Sequence, residues 1–167
     1  MGADATTQDK VLEAIAQRLR NKVEEFNDAG VCFFSDQQFP LKPPPGDLFC
    51  TVAAGDGVFP EDKFSGGGDD TLTENSTVDI TVFRKALSQQ PGKMDEALLS
   101  SEKGLIKRFK PRILRAMFKD AWDPVDGDGV ELLRDYLFPI RAERPNTWRE
   151  QYVYLRLTIG ANFDWSL

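Results

Sequence analysis

The sequence predicts an α+β domain: a mostly antiparallel β-sheet packed by an N-terminal helix and a central helical segment, with a long flap between two strands. Three patterns predict it. Apolar residues at Leu12, Ile15, Ala16, Leu19, Val23 and Phe26 recur at the three-to-four spacing of one helical face. Val78, Ile80 and Val82 alternate with Thr77, Asp79, Thr81 and Phe83, which is the period of a strand with one buried face. A second helical pattern, through Leu105, Ile106, Phe109, Ile113, Ala116 and Met117, separates that strand from a strand pair near the C-terminus.

Taken in order, the first helix runs from Gln8 to Phe26. Thr6 or Thr7 caps its start, Asp9 suits its first turn, and Gly30 ends it. A short apolar run, Val31–Phe34, follows. Pro40, Pro43, Pro44, Pro45 and Gly46 then rule out helix and predict an extended connection. Leu48–Ala53 reads as a strand. The stretch from Gly55 to Ser76 reads as a mobile flap, because it holds six acids, one lysine and the run Gly66-Gly67-Gly68. The Val78 strand closes this hairpin.

Pro91-Gly92 breaks the chain before a helical stretch that begins at Met94, with Leu98 and Leu99 in a first piece. Gly104 separates it from the second piece, and Pro111 marks a kink or restart. Asp126-Gly127-Asp128-Gly129 is a turn. Glu131–Arg141, interrupted near Pro139, and Tyr152–Ile159 read as the closing strands. With no internal repeat and no domain-sized linker, residues 1–167 form one domain.

Composition narrows the chemistry. The chain has 167 residues, 41% apolar and 29% charged, as globular chains do, and carries a net charge of −6. That charge disfavours general nucleic-acid binding. The polar opening stretch predicts no secretory leader, and no apolar run is long enough to span a bilayer. Histidine is absent, which removes the commonest general base, Ser-His and Cys-His pairs, and most zinc sites. Cys32 and Cys50 both sit in apolar runs and read as buried thiols, with a disulfide open if their strands pair in register.

The acidic motifs do not build a catalytic site. Counted from Asp123, the turn places Val125 and Asp128 where a calcium loop needs a ligand and a glycine. Gly66-Gly67-Gly68-Asp69-Asp70 lacks the Lys-Ser/Thr of a phosphate loop. Neither Asp69-Asp70 nor Asp126/Asp128 has the apolar setting that raises one carboxyl for acid catalysis. The chain is therefore expected to be no enzyme and to need no metal or cofactor.

Two features point to surfaces instead. Between Lys103 and Lys119 there are seven basic residues and no acid. Lys107, Arg108, Lys110, Arg112 and Arg115 could form a solvated helix face, a face that docks on an acidic neighbour, or a phosphate-binding stripe. Phe163 and Trp165 fall on one side of the last strand, where they either cover the domain's own core or anchor a partner.

The helix Val11-Leu12-Glu13-Ala14-Ile15-Ala16-Gln17-Arg18-Leu19, the strand Thr77–Val82, the segment Lys103-Gly104-Leu105-Ile106 leading to Arg112–Met117, and the closing strand from Tyr152 to Asp164 with its Phe-Asp-Trp ending follow one another in a familiar order. In that order of elements, over nearly its whole length, the chain resembles the tail terminator and tail-completion proteins of long-tailed phages. The resemblance implies a virion structural protein that forms a homo-oligomeric ring of six copies. The ring would cap the tail tube at its head-proximal end, stop its polymerisation and help join tail to head. Implied partners are the tail-tube protein and a head-completion or connector protein, with DNA passing through the channel without specific binding and no membrane. Localisation would be the virion tail or neck, after assembly in the host cytoplasm.

Under that reading Lys107, Arg108, Lys110, Arg112, Arg115, Phe163 and Trp165 serve as subunit or partner interface. Asp56, Glu61, Asp62, Asp69, Asp70 and Glu74 form an acidic flap facing the channel, where repulsion keeps DNA sliding. Two alternatives stay open. One is another neck, adaptor or tail-associated structural protein. The other is a small nucleic-acid-binding domain using residues 103–119.

Overall fold

The computed structural model describes residues 6–59, 71–85, 104–120, 122–134, 137–149 and 152–166. The first helix, α1, spans Thr7–Lys22. Thr6 caps it: its Oγ1 accepts from the Asp9 backbone N–H at 3.1 Å, and Asp9 Oδ2 accepts from the Thr6 N–H at 3.1 Å. Such a reciprocal box satisfies two donors that the helix leaves open, and it stabilises by about 0.5–2 kcal/mol. Val11, Leu12, Ile15, Ala16 and Leu19 are buried, as the spacing predicts. The helix stops at Val23, and a single 3₁₀ turn, Glu24–Phe26, carries the apolar stripe on to Phe26.

Six strands follow from the described residues: β1 (Cys32–Phe34), β2 (Leu48–Val58), β3 (Thr71–Lys85), β4 (Phe138–Ala142), β5 (Asn146–Trp148) and β6 (Tyr152–Ser166). They form one sheet in the order β1-β2-β3-β6-β4, with β5 also paired to β6. β1 lies parallel to β2, and every other pair is antiparallel. The α+β expectation holds, with the antiparallel sheet and both helical segments in place.

The ends of the expected flap are strand. β2 continues to Val58, and β3 begins at Thr71, pairing residue for residue with β6 from Thr71↔Ser166 to Lys85↔Tyr152. Partners far along the chain supply the ladder that a local reading of Thr71–Ser76 cannot see. A bulge between Ala54 and Gly57 lets β2 follow this twisting ribbon. Gly55 sits in that bulge, where a Cβ would come within 2.3 Å of Thr77 Oγ1, so a side chain there would displace β3's own. The tip of the flap, including Glu61, Asp62, Asp69 and Asp70, lies outside the described residues, as does the helical piece expected around Leu98 and Leu99.

The central segment begins with a π-helical turn, Leu105–Phe109, after extended Gly104. It continues as α2, Lys110–Phe118. Pro111 sits in the first turn of α2, at the junction where the π turn passes into α-helix. Of the expected strand Glu131–Arg141, Phe138–Ala142 is strand and Glu131 makes a single bridge to Val125. Pro139 is tolerated because β4 is an edge strand, and the register slips there.

Alternate residues of β2, β3 and β6 face opposite ways. One set, with Cys50, Val52, Val78, Ile80, Val82, Leu155, Leu157 and Ile159, packs under α1 and α2 in a continuous apolar core. Phe26 and Phe109 stack there at 5.6 Å, tying the end of the α1 stripe to the central segment. Cys32 and Cys50 are register partners in this core, both buried and both free thiols. Burial, with the Cys32 thiol beside it, pushes the Cys50 thiol well above its ordinary range.

Candidate functional site

Three surfaces collect the residues that sequence reasoning singles out. The first is the central helical segment. Lys107 and Arg115 are exposed and Lys110 half-buried, and none of them makes an ion pair among the described residues. Arg108 and Arg112 behave differently. Both reach Glu25 in the turn after α1, Arg108 with its Nε at 2.6 Å and also through a guanidinium nitrogen, and Arg112 at 3.8 Å. Burial pushes the Glu25 carboxyl up, but the hydrogen bonds and charge of Arg108, aided by Arg112, outweigh it and hold the carboxyl below its ordinary 4.5. Two of the seven bases are thus partly neutralised within the subunit, and Lys103 lies outside the described residues. The stripe that remains is shorter than the sequence suggests.

The second surface is the sheet face turned away from the helices. At one end Phe49, Phe83 and Tyr152 are buried under Phe33, Phe39, Trp148 and Tyr154. Phe49 and Phe83 stack at 4.4 Å, and Trp148 lies 5.2 Å from Phe83. The cover comes from the proline-flanked connection that carries Phe39 and from β5, rather than from a helix. Further along, the same face turns polar and forms a cleft of about 540 Å³ lined by Gln38, Asp56, Thr77, Asp79, Arg141 and Arg156, among others. Thr158 Oγ1 donates to Asp79 at 2.7 Å, Thr77 Oγ1 to the Asp56 carbonyl at 2.8 Å, and Arg156 pairs with Glu143 at 3.1 Å. The Arg156 guanidinium also lies over the Phe39 ring at 5.6 Å. These contacts link neighbouring strands across the face, while Arg156 Nε and Glu143 Oε2 are buried without a hydrogen-bond partner among the described residues.

The third surface is the distal end of the β2–β3–β6 ribbon, and here two expectations are corrected. Phe163 is 1% exposed and belongs to the helix-side core, with Trp165 half-buried against it at 5.6 Å. Its place on β6 opposite Glu74 turns it inward, so it is no free anchor for a partner. Glu74 is 8% exposed on that same inner face, whereas exposed Asp56 lines the outer cleft. The two described members of the expected acidic flap therefore do not share a surface, because the bulge between Ala54 and Gly57 breaks the alternation of β2 at Asp56.

No protein-family model matches the chain, and no curated protein matches it. The site is thus read from geometry. Sequence reasoning missed the outer aromatic cluster, whose members come from β1, β2, β3, β5, β6 and the connection that carries Phe39. Phe83 at the end of an alternating strand is the one local signal, since it is a large aromatic on the nominally polar face. Also missed was the groove over α1 formed with residues 125–128. No described helix is long and apolar enough to cross a membrane.

Proposed function

We propose that this chain is a structural subunit that assembles head to tail into a ring, acting as a tail terminator that caps the tail tube and joins it to the head. The observation that carries this reading is the shape of the subunit. β3 and β6 pair over 15 residues each, roughly 50 Å at a strand's rise, against roughly 24 Å for the 16-residue α1. The ribbon is about twice the length of α1, and β4 is exposed along its whole length at one edge. A long ribbon and an edge strand without a further partner among the described residues suit a subunit whose neighbours complete its surfaces.

On the outer face Thr158–Asp79 and Thr77–Asp56 bonds link neighbouring strands, which suits a structural role. The pairing of Glu25 with Arg108 and Arg112 favours a protein-facing basic surface over a phosphate-binding one. In the assembled particle the ring would meet the tail-tube protein on one side and a head-completion or connector protein on the other. DNA would pass through the channel unbound. The virion tail or neck would be its location, reached by assembly in the host cytoplasm.

The test is to polymerise tail-tube protein with and without this chain and to measure tube lengths by electron microscopy. Capped tubes with a narrowed length distribution support the reading. Tubes whose lengths and ends are unaffected, alongside retention of the chain on DNA with a steep salt dependence, would move the function to the basic segment.

A further inference from the structure

We infer that the groove over α1 is the seat for the basic central helical segment of a second copy of this chain. The inference rests on the ring reading and names the two faces that would meet. The groove, about 590 Å³, runs between α1 and residues 125–128. Ala14, Phe34 and Val125 give it an apolar floor, and Phe34 and Val125 are 37% and 43% exposed. Asp9, Glu13, Asp126 and Asp128 form its rim, with Lys10 the one opposing charge. Residues 120–131 as a whole carry five acids and no base.

The rim is held in place before any partner arrives. Asp126 Oδ1 accepts from the backbone N–H groups of Asp128 and Val130, both at 2.9 Å. Those donors hold its carboxyl below its ordinary range, so it stays charged through neutral pH. Glu13 is fixed by Arg20 at 2.6 Å, which also offsets its charge and leaves the acidity of the rim mainly to Asp9, Asp126 and Asp128. An ordered acidic rim around exposed apolar side chains calls for a partner with the inverse pattern.

The chain carries that inverse pattern itself. Ile106, 38% exposed, sits beside Lys107, with Lys110 one turn on and Arg115 and Lys119 beyond. The subunit's own basic segment does not fill its own groove. α1 and α2 run antiparallel, with Arg18 donating to the Ala116 carbonyl at 2.9 Å and Glu25 reaching Arg108. The groove lies at the α1 N-terminal end, and Lys107 and Lys110 lie toward the α1 C-terminal end. Two complementary faces at opposite ends of one helical layer make a heterologous contact, which closes into a ring when the rotation per subunit allows.

The test compares the wild-type chain with two variants by sedimentation velocity over a concentration series, with thermal unfolding as the check on folding. One variant, Lys107→Glu/Lys110→Glu, alters the basic face. The other, Val125→Lys/Asp128→Lys, alters the groove; Asp126 is left alone because it builds the turn. Each variant alone is expected to associate at least roughly tenfold more weakly, as charge reversal at a complementary interface does. An equal mixture of the two is expected to recover assembly, because each retains one native face and the altered faces match each other. If either pair does not fold, Lys107→Glu alone and Asp128→Lys alone replace them. Variants that assemble like wild type, or a mixture that gains nothing, would overturn this contact and leave the ring to another interface. A wild-type chain that stays single at every concentration, and beside tube ends, would overturn the ring reading as well.

Discussion

The two faces of the one sheet are built from alternate residues of the same strands, yet they are closed in different ways. The inner face is aliphatic along β2, β3 and β6 and is covered by two helical segments. The outer face is aromatic at one end, where the Phe39 connection and Trp148 cover it, and polar at the other, where a cleft remains. The difference teaches that helix-packed burial fixes the inner layer from local patterns, while the outer layer depends on one connection and one short strand being brought over it from afar.

The comparison can be broken most strongly at Phe83. Phe83→Ala removes a fully buried ring that touches Phe39, Phe49, Trp148 and Tyr154, and is expected to cost about 3–5 kcal/mol in urea unfolding. A cost below about 1 kcal/mol would mean that the outer cluster is a loose cover and not a second core. Leu157→Ala on the inner face is expected to cost about 2–5 kcal/mol, with the spread set by how far α2 can settle into the space. Similar losses at the two positions would make both faces equal contributors.

A pH experiment sharpens the contrast where the helices meet. The Glu25 carboxyl is depressed in the folded state, so its contribution is present above its ordinary 4.5 and is lost as pH falls through the lower folded value. Glu25→Gln should therefore lower stability at neutral pH and flatten the acid limb of the stability curve below about 4.5. An unchanged acid limb would show that Arg108 and Arg112 are held by other groups. The smallest effect is expected in the polar cleft. Thr158→Val loses the 2.7 Å bond to Asp79, and because water can reach the cleft the cost should be about 0.5–1.5 kcal/mol. A larger loss would mark the cleft as part of the core.

Much of the inner layer was legible in the sequence. The α1 stripe from Leu12 to Phe26, the alternation at Val78–Val82 and, Ile106 apart, the spacing from Leu105 to Met117 name residues that are buried together. Each signal is local, which is why it could be read. Thr71–Ser76 was read as flap because its partner is β6, some 90 residues away in register at Thr73↔Asp164. Trp148 was missed because three residues are too few for a period to show. The candidate interface was half legible: charge marked the central segment, but the sequence could not place Glu25 beside Arg108 and Arg112. Nor could it tell that Phe163 faces inward, since a strand's alternation fixes two faces without saying which one is covered.

Mass in solution tests the central claim most directly. Native mass spectrometry of the purified chain, alone and with tail-tube protein, is predicted to give a closed multiple of the 18.8 kDa chain, six copies for a terminator ring. A single 18.8 kDa species under every condition, with no association at tube ends, would contradict the account.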